Sequence, residues 1–412
     1  GFVETLTYVV TTGGGAPAAA TPAAATTMRA IGAGALKAIA TALDVVPLSD
    51  DTLEYVKAQT PLLLGDGSAS LRRMGANVVS SLARATSLVS WPALLPALTA
   101  GLDIPAARGG ALLALSQLAE DVPHEFDDPA HGAAFAALVP RLIGLMSDAD
   151  LPTRLTATTT MAYLLVAPSP VFSMHREAYF AALGALMSDP SPAVRKAVSD
   201  SLAGLVEFML ADVWPSIAGI IGFEIACLSD ADPDVVISAC DFWSEYATHV
   251  GLEAKEDPEY AAPLLARLGE VVDGLVPHVV LSADDLEGAG DVDDVDDSGV
   301  ADRAQDVRPD VDGSRGAGGG GGGGGGGVDT SLGGEAPAKA EDGDEDEEEV
   351  EEDNGADPHN RGTTYTRRRA AGRALELLSL AHADEVLTAT FGHIEAALSL
   401  PEEDAHWRTR EA

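Results

Sequence analysis

The sequence predicts an all-α fold: an α-solenoid, a superhelix of stacked helical hairpins, interrupted by one long disordered acidic loop. Three observations predict it. The first is a repeat of about 41 residues in which an amphipathic helix, a short Asp-bearing turn and a second helix recur. The second is a composition rich in Ala, Leu and Val and poor in aromatic residues, at 5%. Small apolar side chains suit closely packed helices. The third is the segment 282–361, which shows no helical periodicity and lies between two stretches that do.

The clearest repeat unit is Phe180 to Met209, FAALGALMSDPSPAVRKAVSDSLAGLVEFM, with Asp189 in the turn and Arg195 opening the second helix. Leu138 to Leu165 repeats it with Asp148 and Arg154, and the Arg154-to-Arg195 spacing is 41. A further 41 on, Val236 follows the turn SDADPDVV, and Arg108, Arg72 and Arg29 extend the series backwards at gaps of 46, 36 and 43. Two helices per unit, with Asp in the turn and Arg or Val after it, is the HEAT-repeat pattern. The turn Asp is expected to cap the second helix through its free backbone amides, and the Arg to reach a neighbouring turn. Units are expected at about 2–43, 51–87, 92–121, 131–166, 176–209, 213–249 and 258–381, with an eighth opening at 384. As domains this reads 1–281 for six repeats and the first helix of a seventh, 282–361 for the loop, and 362–412 for the seventh's second helix and the start of the eighth. GGGAPAAATPAAATT at 13–27 reads as a low-complexity linker. No unit buries its apolar face alone, so neighbours stack, and the second helices are expected to line the concave side.

From Asp284 to Asp357 the loop carries 26 Asp and Glu against Arg303, Arg308, Arg315 and Lys339, a net −22 out of the chain's −40. Ten consecutive glycines, Gly318 to Gly327, sit inside it. Glycine loses the most backbone entropy on ordering and like charges repel, so no packed core forms there. The excess of acid argues against nucleic acid, whose phosphates require Lys and Arg, and favours a basic protein partner.

Catalysis and cofactors find no support. The nine histidines form no HxxxH or HExxH and no metal-ligand spacing with Cys227 or Cys240. The glycine run lacks GxxxxGK[ST], and the acidic stretches lack EF-hand spacing. His124, His278 and His393 are placed at helix ends or loops. Cys227 and Cys240 read as buried reduced thiols, and Trp91, Trp214 and Trp243 as core. The absence of an uninterrupted apolar stretch of ~18 residues and of a basic N-terminal flank reads as a soluble intracellular protein with no membrane insertion. A start at Gly1 and a stop just past Trp407, in a helical pattern, read as a fragment cut at both ends.

The order of these parts resembles the importin-β family, in its karyopherin-β2 (transportin) branch. The likeness rests on WPALLPAL at 91–98, LAEDVPHEF at 118–126, DPSPAVRKAV at 189–198 and ACDFWSEYA at 239–247. It continues in QDVRP…SR at 305–315 followed by an acidic run, and in RRRAAGRALELL leading to ADEVL at 383–387. It runs over nearly the whole chain, from the second repeat of such a receptor to the first part of its ninth. The resemblance implies a nuclear import receptor that shuttles between cytoplasm and nucleus. Its partners would be Ran in the GTP form, cargo with basic or Pro-Tyr localisation signals, and nucleoporins. By the same resemblance, Glu120, Asp121 and Glu125 match the acidic cluster facing the GTPase. The acidic loop, with Asp306, Arg308, Glu345, Asp346, Glu347, Glu348, Glu349, Glu351 and Glu352, would couple GTPase binding to cargo release. Glu376 matches a cargo-contacting position, whereas Arg373 stands where the family has a small residue. Most of the cargo site would fall beyond Ala412. The competing readings are a static HEAT scaffold such as a phosphatase regulatory subunit, and an acid tract that binds basic proteins without regulation.

Overall fold

A computed structural model describes residues 1–13, 22–43, 45, 47–165, 170–280 and 366–400. All of these belong to one compact unit. The acidic loop and Trp407 lie outside the described residues.

The helices alternate between two layers. The first helices of the hairpins are α1 (Phe2–Thr12), α3 (Asp50–Gln59), α5 (Leu94–Gly101), α7 (Gly132–Leu145), α9 (Pro170–Leu186), α11 (Ile217–Cys227) and the pair α13 (Ala262–Leu265) and α14 (Leu268–Val279). The second helices are α2 (Pro22–Thr41), α4 (Ala69–Thr86), α6 (Pro105–Asp121), α8 (Leu151–Leu164), α10 (Pro192–Val213), α12 (Pro233–Glu256) and α15 (Arg367–Ala381). A last helix, α16 (Ala383–Leu398), packs on α14. Each second helix packs on the next, from α2 through α15, and the core runs between the layers as one continuous cluster. No hairpin closes its own core. Leu138, Leu142, Val198, Leu205, Trp243 and Leu275 are each fully buried within the one cluster that runs through all the units. Burying such a side chain is worth about 1.5–3 kcal/mol.

Close stacking needs small residues where backbones meet. At Gly110, on α6, an added Cβ would collide with the carbonyl oxygen of Leu64. Gly110 is therefore the position where two successive hairpins approach at backbone distance.

Several expectations are corrected. The proposed 13–27 linker gives way to helix from Pro22 onward, because proline suits the first helical turn and the following Ala-Ala-Ala is the strongest helix-forming run. His393 lies inside α16, where its Nε2 meets Asp273 Oδ1 of α14 at 2.8 Å. Trp214 is only half-buried and packs on the Tyr260 ring at 4.4 Å between centroids. Trp91 and Trp243 are core, Trp243 fully. Pro192–Cys227 is long and apolar enough by composition to cross a membrane. The 3₁₀ turn Trp214–Ser216, with Pro215 in it, breaks it into α10 and α11, each packed on its neighbours.

The turn aspartates also behave differently from expectation. Asp148, Asp189 and Asp230 each accept from the backbone N–H two residues on, at 2.9, 2.9 and 3.0 Å. Such Asx turns shape the corner. The helix caps are made one step later: Asp150 accepts from Thr153 N and Asp232 from Asp234 N. The free oxygen of each turn Asp faces the preceding repeat. Arg108 reaches Asp148 at 3.3 Å, Arg154 reaches Asp189 at 2.7 Å and Arg195 reaches Asp230 at 2.8 Å. Arg154 and Arg195 also donate to the carbonyl of their own turn Asp, at 2.9 Å in both cases. One guanidinium thus fixes its own turn and the next. Arg29 similarly joins Asp66 at 2.6 Å. Among the described residues Arg72 binds the carbonyls of Asp66 and Gly67 in its own turn, and Asp103 pairs with Arg141 at 3.1 Å. At Val236 the series ends.

Candidate functional site

The exposed face of the second-helix layer carries a row of carboxylates. On α6, Glu120 is exposed, and its charge acts on the Tyr163 hydroxyl of α8. Burial, and then the neighbouring charges of Glu120 and Asp200, push the Tyr163 pKa up. Asp121 accepts from Ser80 of α4, and its other oxygen lies 4.0 Å from Arg84. On α10, Asp200 accepts from Ser238 of α12 and pairs with Lys196 at 2.8 Å. One exposed turn pair further along, Glu207 has its pKa raised by partial burial and by the nearby Glu245 of α12, with His249 opposing. His249 Nε2 lies 3.2 Å from Glu245. Glu376 is exposed on α15, as is Arg373.

The structure separates the three acids proposed to face a GTPase. Glu120 and Asp121 lie on the open face. Glu125 lies in the 3₁₀ turn Pro123–Asp127, where one oxygen accepts from Ser87 Oγ at 2.8 Å and from the Leu88 amide. Its charge is spent joining two inter-repeat turns. Asp306, Arg308, Glu345 and the remaining loop acids lie outside the described residues. Reading residues alone missed Asp200, Glu207, Glu245 and Tyr163. The seven-residue spacing of Asp200 and Glu207 puts both on one helix face and was the available signal.

The chemistry available is recognition of a basic protein surface. Among the described residues no three His, Cys, Asp or Glu side chains converge to hold a metal ion. Cys227 and Cys240 are unpaired and buried; burial, above all, pushes the Cys240 thiol up to about 12, and that of Cys227 higher. Glu224, fully buried between α10 and α12, accepts from Ser199 at 2.8 Å; burial pushes its pKa well above the usual carboxylate range.

No family model matches the chain. It is 28% identical over 257 residues to the transportin of Dictyostelium discoideum, covering 62% of this chain and 26% of that protein. It is 29% identical over 261 residues to importin subunit beta-2 of Schizosaccharomyces pombe, covering 63% and 28%. The chain thus resembles members of the importin-β family over about three fifths of its length. Among solved structures, yeast importin-β (Kap95p) superposes over 100% of the chain and 40% of its own length with a TM-score of 0.64 at 13% identity, which carries the fold. The same protein superposes from its complex with Nup1, at a TM-score of 0.61, and from a complex in which it induces the switch loops of RanGDP to adopt the GTP-bound conformation, at 0.59. The chain spans about a quarter of the length of those two curated relatives.

Proposed function

We propose that this chain is part of a nuclear import receptor, and that its second-helix face receives Ran in the GTP form. The observation that carries the reading is the set of carboxylates on the second helices α6, α10 and α12, from Glu120 and Asp121 through Asp200 to Glu245. A run of like charge on a pre-formed surface steers a basic partner and holds it through many weak contacts. The family relationship supports the choice of partner. Relatives named transportin and importin subunit beta-2, and a Kap95p relative solved with RanGDP, support Ran; Kap95p solved with Nup1 supports nucleoporins.

In this reading the receptor shuttles between cytoplasm and nucleus with cargo bearing basic or Pro-Tyr signals. The acidic loop is a tethered polyanion that couples Ran-GTP binding to cargo release. Covalent tethering gives it an effective concentration of roughly millimolar, so weak contacts suffice. Glu120 and Asp121 meet the GTPase, Glu125 holds the turns behind them, and Glu376 faces cargo. The receptor is a binding machine with no chemical step of its own.

The test is capture of Ran loaded with GTP or GDP by the chain. Preference for the GTP form, weakened by Glu120→Lys with Asp121→Lys, supports the reading. Equal capture of both forms sinks it.

A further inference from the structure

The inter-helix turns of three consecutive repeats each carry a serine immediately before the aspartate that pins them: Ser147 before Asp148, Ser188 before Asp189 and Ser229 before Asp230. All three serines are exposed. Around two of them the sequence is identical. Ser147-Asp148-Ala149-Asp150 and Ser229-Asp230-Ala231-Asp232 stand 82 residues apart, two repeat lengths, each between the first and second helix of its hairpin. Asp150 is exposed and Asp232 half-buried. Ser188, between them in the series, is followed by Asp189, Pro190 and Ser191, with no acid three places on. The arginine pins differ too. Arg108 touches Asp148 through one terminal nitrogen at 3.3 Å, whereas Arg195 grips Asp230 with two bonds, at 2.8 and 2.9 Å.

We propose that Ser147 and Ser229 are phosphoacceptor sites for an acid-directed serine kinase, and that the phosphate loosens the joint between hairpins. A kinase whose substrate groove is basic reads the acids one and three places past the serine. In the transfer, the serine Oγ attacks the γ-phosphorus of ATP and the bond from that phosphorus to the bridging oxygen breaks. ADP leaves, and the hydroxyl proton passes to the kinase's general base. The product carries a further charge of about −1.5 to −2 at the turn. Ser147 lies just past the end of α7, and Ser229 just past the end of α11, where an anion opposes the helix macrodipole. The Ser147 hydroxyl donates to the Gly144 carbonyl of the last turn of α7 at 3.0 Å, and phosphorylation replaces that donor with an anion. The phosphate also crowds Asp148 and Asp150, against the single guanidinium of Arg108. A kinase groove takes an extended segment, so the turn must open locally, and the weaker pin makes Ser147 the easier site. The inference stands on the turns alone and does not depend on which partner the carboxylate face receives.

The test incubates the folded full chain with ATP and casein kinase II, an acid-directed serine kinase, and locates phosphate by site-resolved mass spectrometry. Ser147 and Ser229 should take phosphate, Ser147 faster, while Ser188 stays unmodified. Asp150→Asn and Asp232→Asn remove the charge three places on but keep a side chain that caps the helix, and each should slow its serine several-fold. The phosphorylated chain should melt at a lower temperature than the untreated one. Ser147→Ala/Ser229→Ala, treated with the kinase in the same way, should melt as it does untreated. Modification of the two serines only after the chain is unfolded, equal modification of Ser188, or rates unchanged in the Asn variants overturns the assignment. An unshifted melt with both serines phosphorylated overturns the loosening of the joint.

Discussion

Arg154 on α8 grips Asp189 of the following repeat with two hydrogen bonds, from Nε at 2.7 Å and from the second terminal nitrogen at 3.2 Å, at a site where the aspartate side chain is 6% exposed. The same carboxylate accepts the Ser191 amide, so one residue shapes a turn and joins two hairpins. Asp189→Ala removes both and leaves the Arg154 guanidinium without its partner in a largely desolvated corner. The expected result is a lower denaturant midpoint, and an Arg154→Ala/Asp189→Ala cycle should show coupling between the two sites.

The pH dependence follows from the same ladder. Burial alone would raise the Asp189 pKa, but the bonds from Arg154 and Ser191 outweigh it; at Asp230 the Arg195 bond leads, and both carboxyls are held below the ordinary range. Carboxyls with depressed folded pKa values stabilise the fold above the unfolded value, near 3.9, and lose that contribution as pH falls through the folded value. Stability of Asp189→Asn should therefore fall less steeply below about pH 4 than that of the parent.

Glu224 has the opposite sign. Its folded pKa is raised, so the folded chain holds a proton that the unfolded chain releases, and stability declines as pH rises from the unfolded value toward the folded one. Glu224→Gln, neutral at every pH, should remove that decline and be more stable than the parent at pH 8 while nearly matching it at pH 4. Thermal melts at the two pH values check this.

At Gly110→Ala the new methyl meets the Leu64 carbonyl. Overpacking against backbone should cost about 1–3 kcal/mol or more, visible as a lowered melting temperature.

The repeat was legible because it is written in backbone-shaping residues: turn aspartates, prolines at helix starts and arginines at a fixed offset. Arg154 and Arg195 occupy the linking role their spacing implied. Which atoms they use was not legible, since Asx-turn and cap geometries both begin with Asp, and only the placement of Asp150 and Asp232 separates them. The same limit applies at the site. Glu120, Asp121 and Glu125 look alike in LAEDVPHEF, yet Glu120 is exposed near the end of α6 while Glu125, in the following 3₁₀ turn, folds back onto Ser87 and Leu88. The carboxylates on α10 and α12 were hidden because their row crosses repeats and exists only once helices stack.

That distinction is testable by itself. Glu125→Gln should lower the melting temperature with little specific effect on partner binding, whereas Glu120→Lys should leave stability within about 0.5 kcal/mol and weaken a basic partner.

The most direct measurement is the affinity of the chain for Ran loaded with GTP and with GDP, at two salt concentrations, beside the Glu120→Lys/Asp121→Lys variant. Binding that favours the GTP form, weakens with salt and falls in the variant is the expected result. Equal affinity for both nucleotide states, or binding unchanged in the variant, would contradict a Ran-receiving carboxylate face.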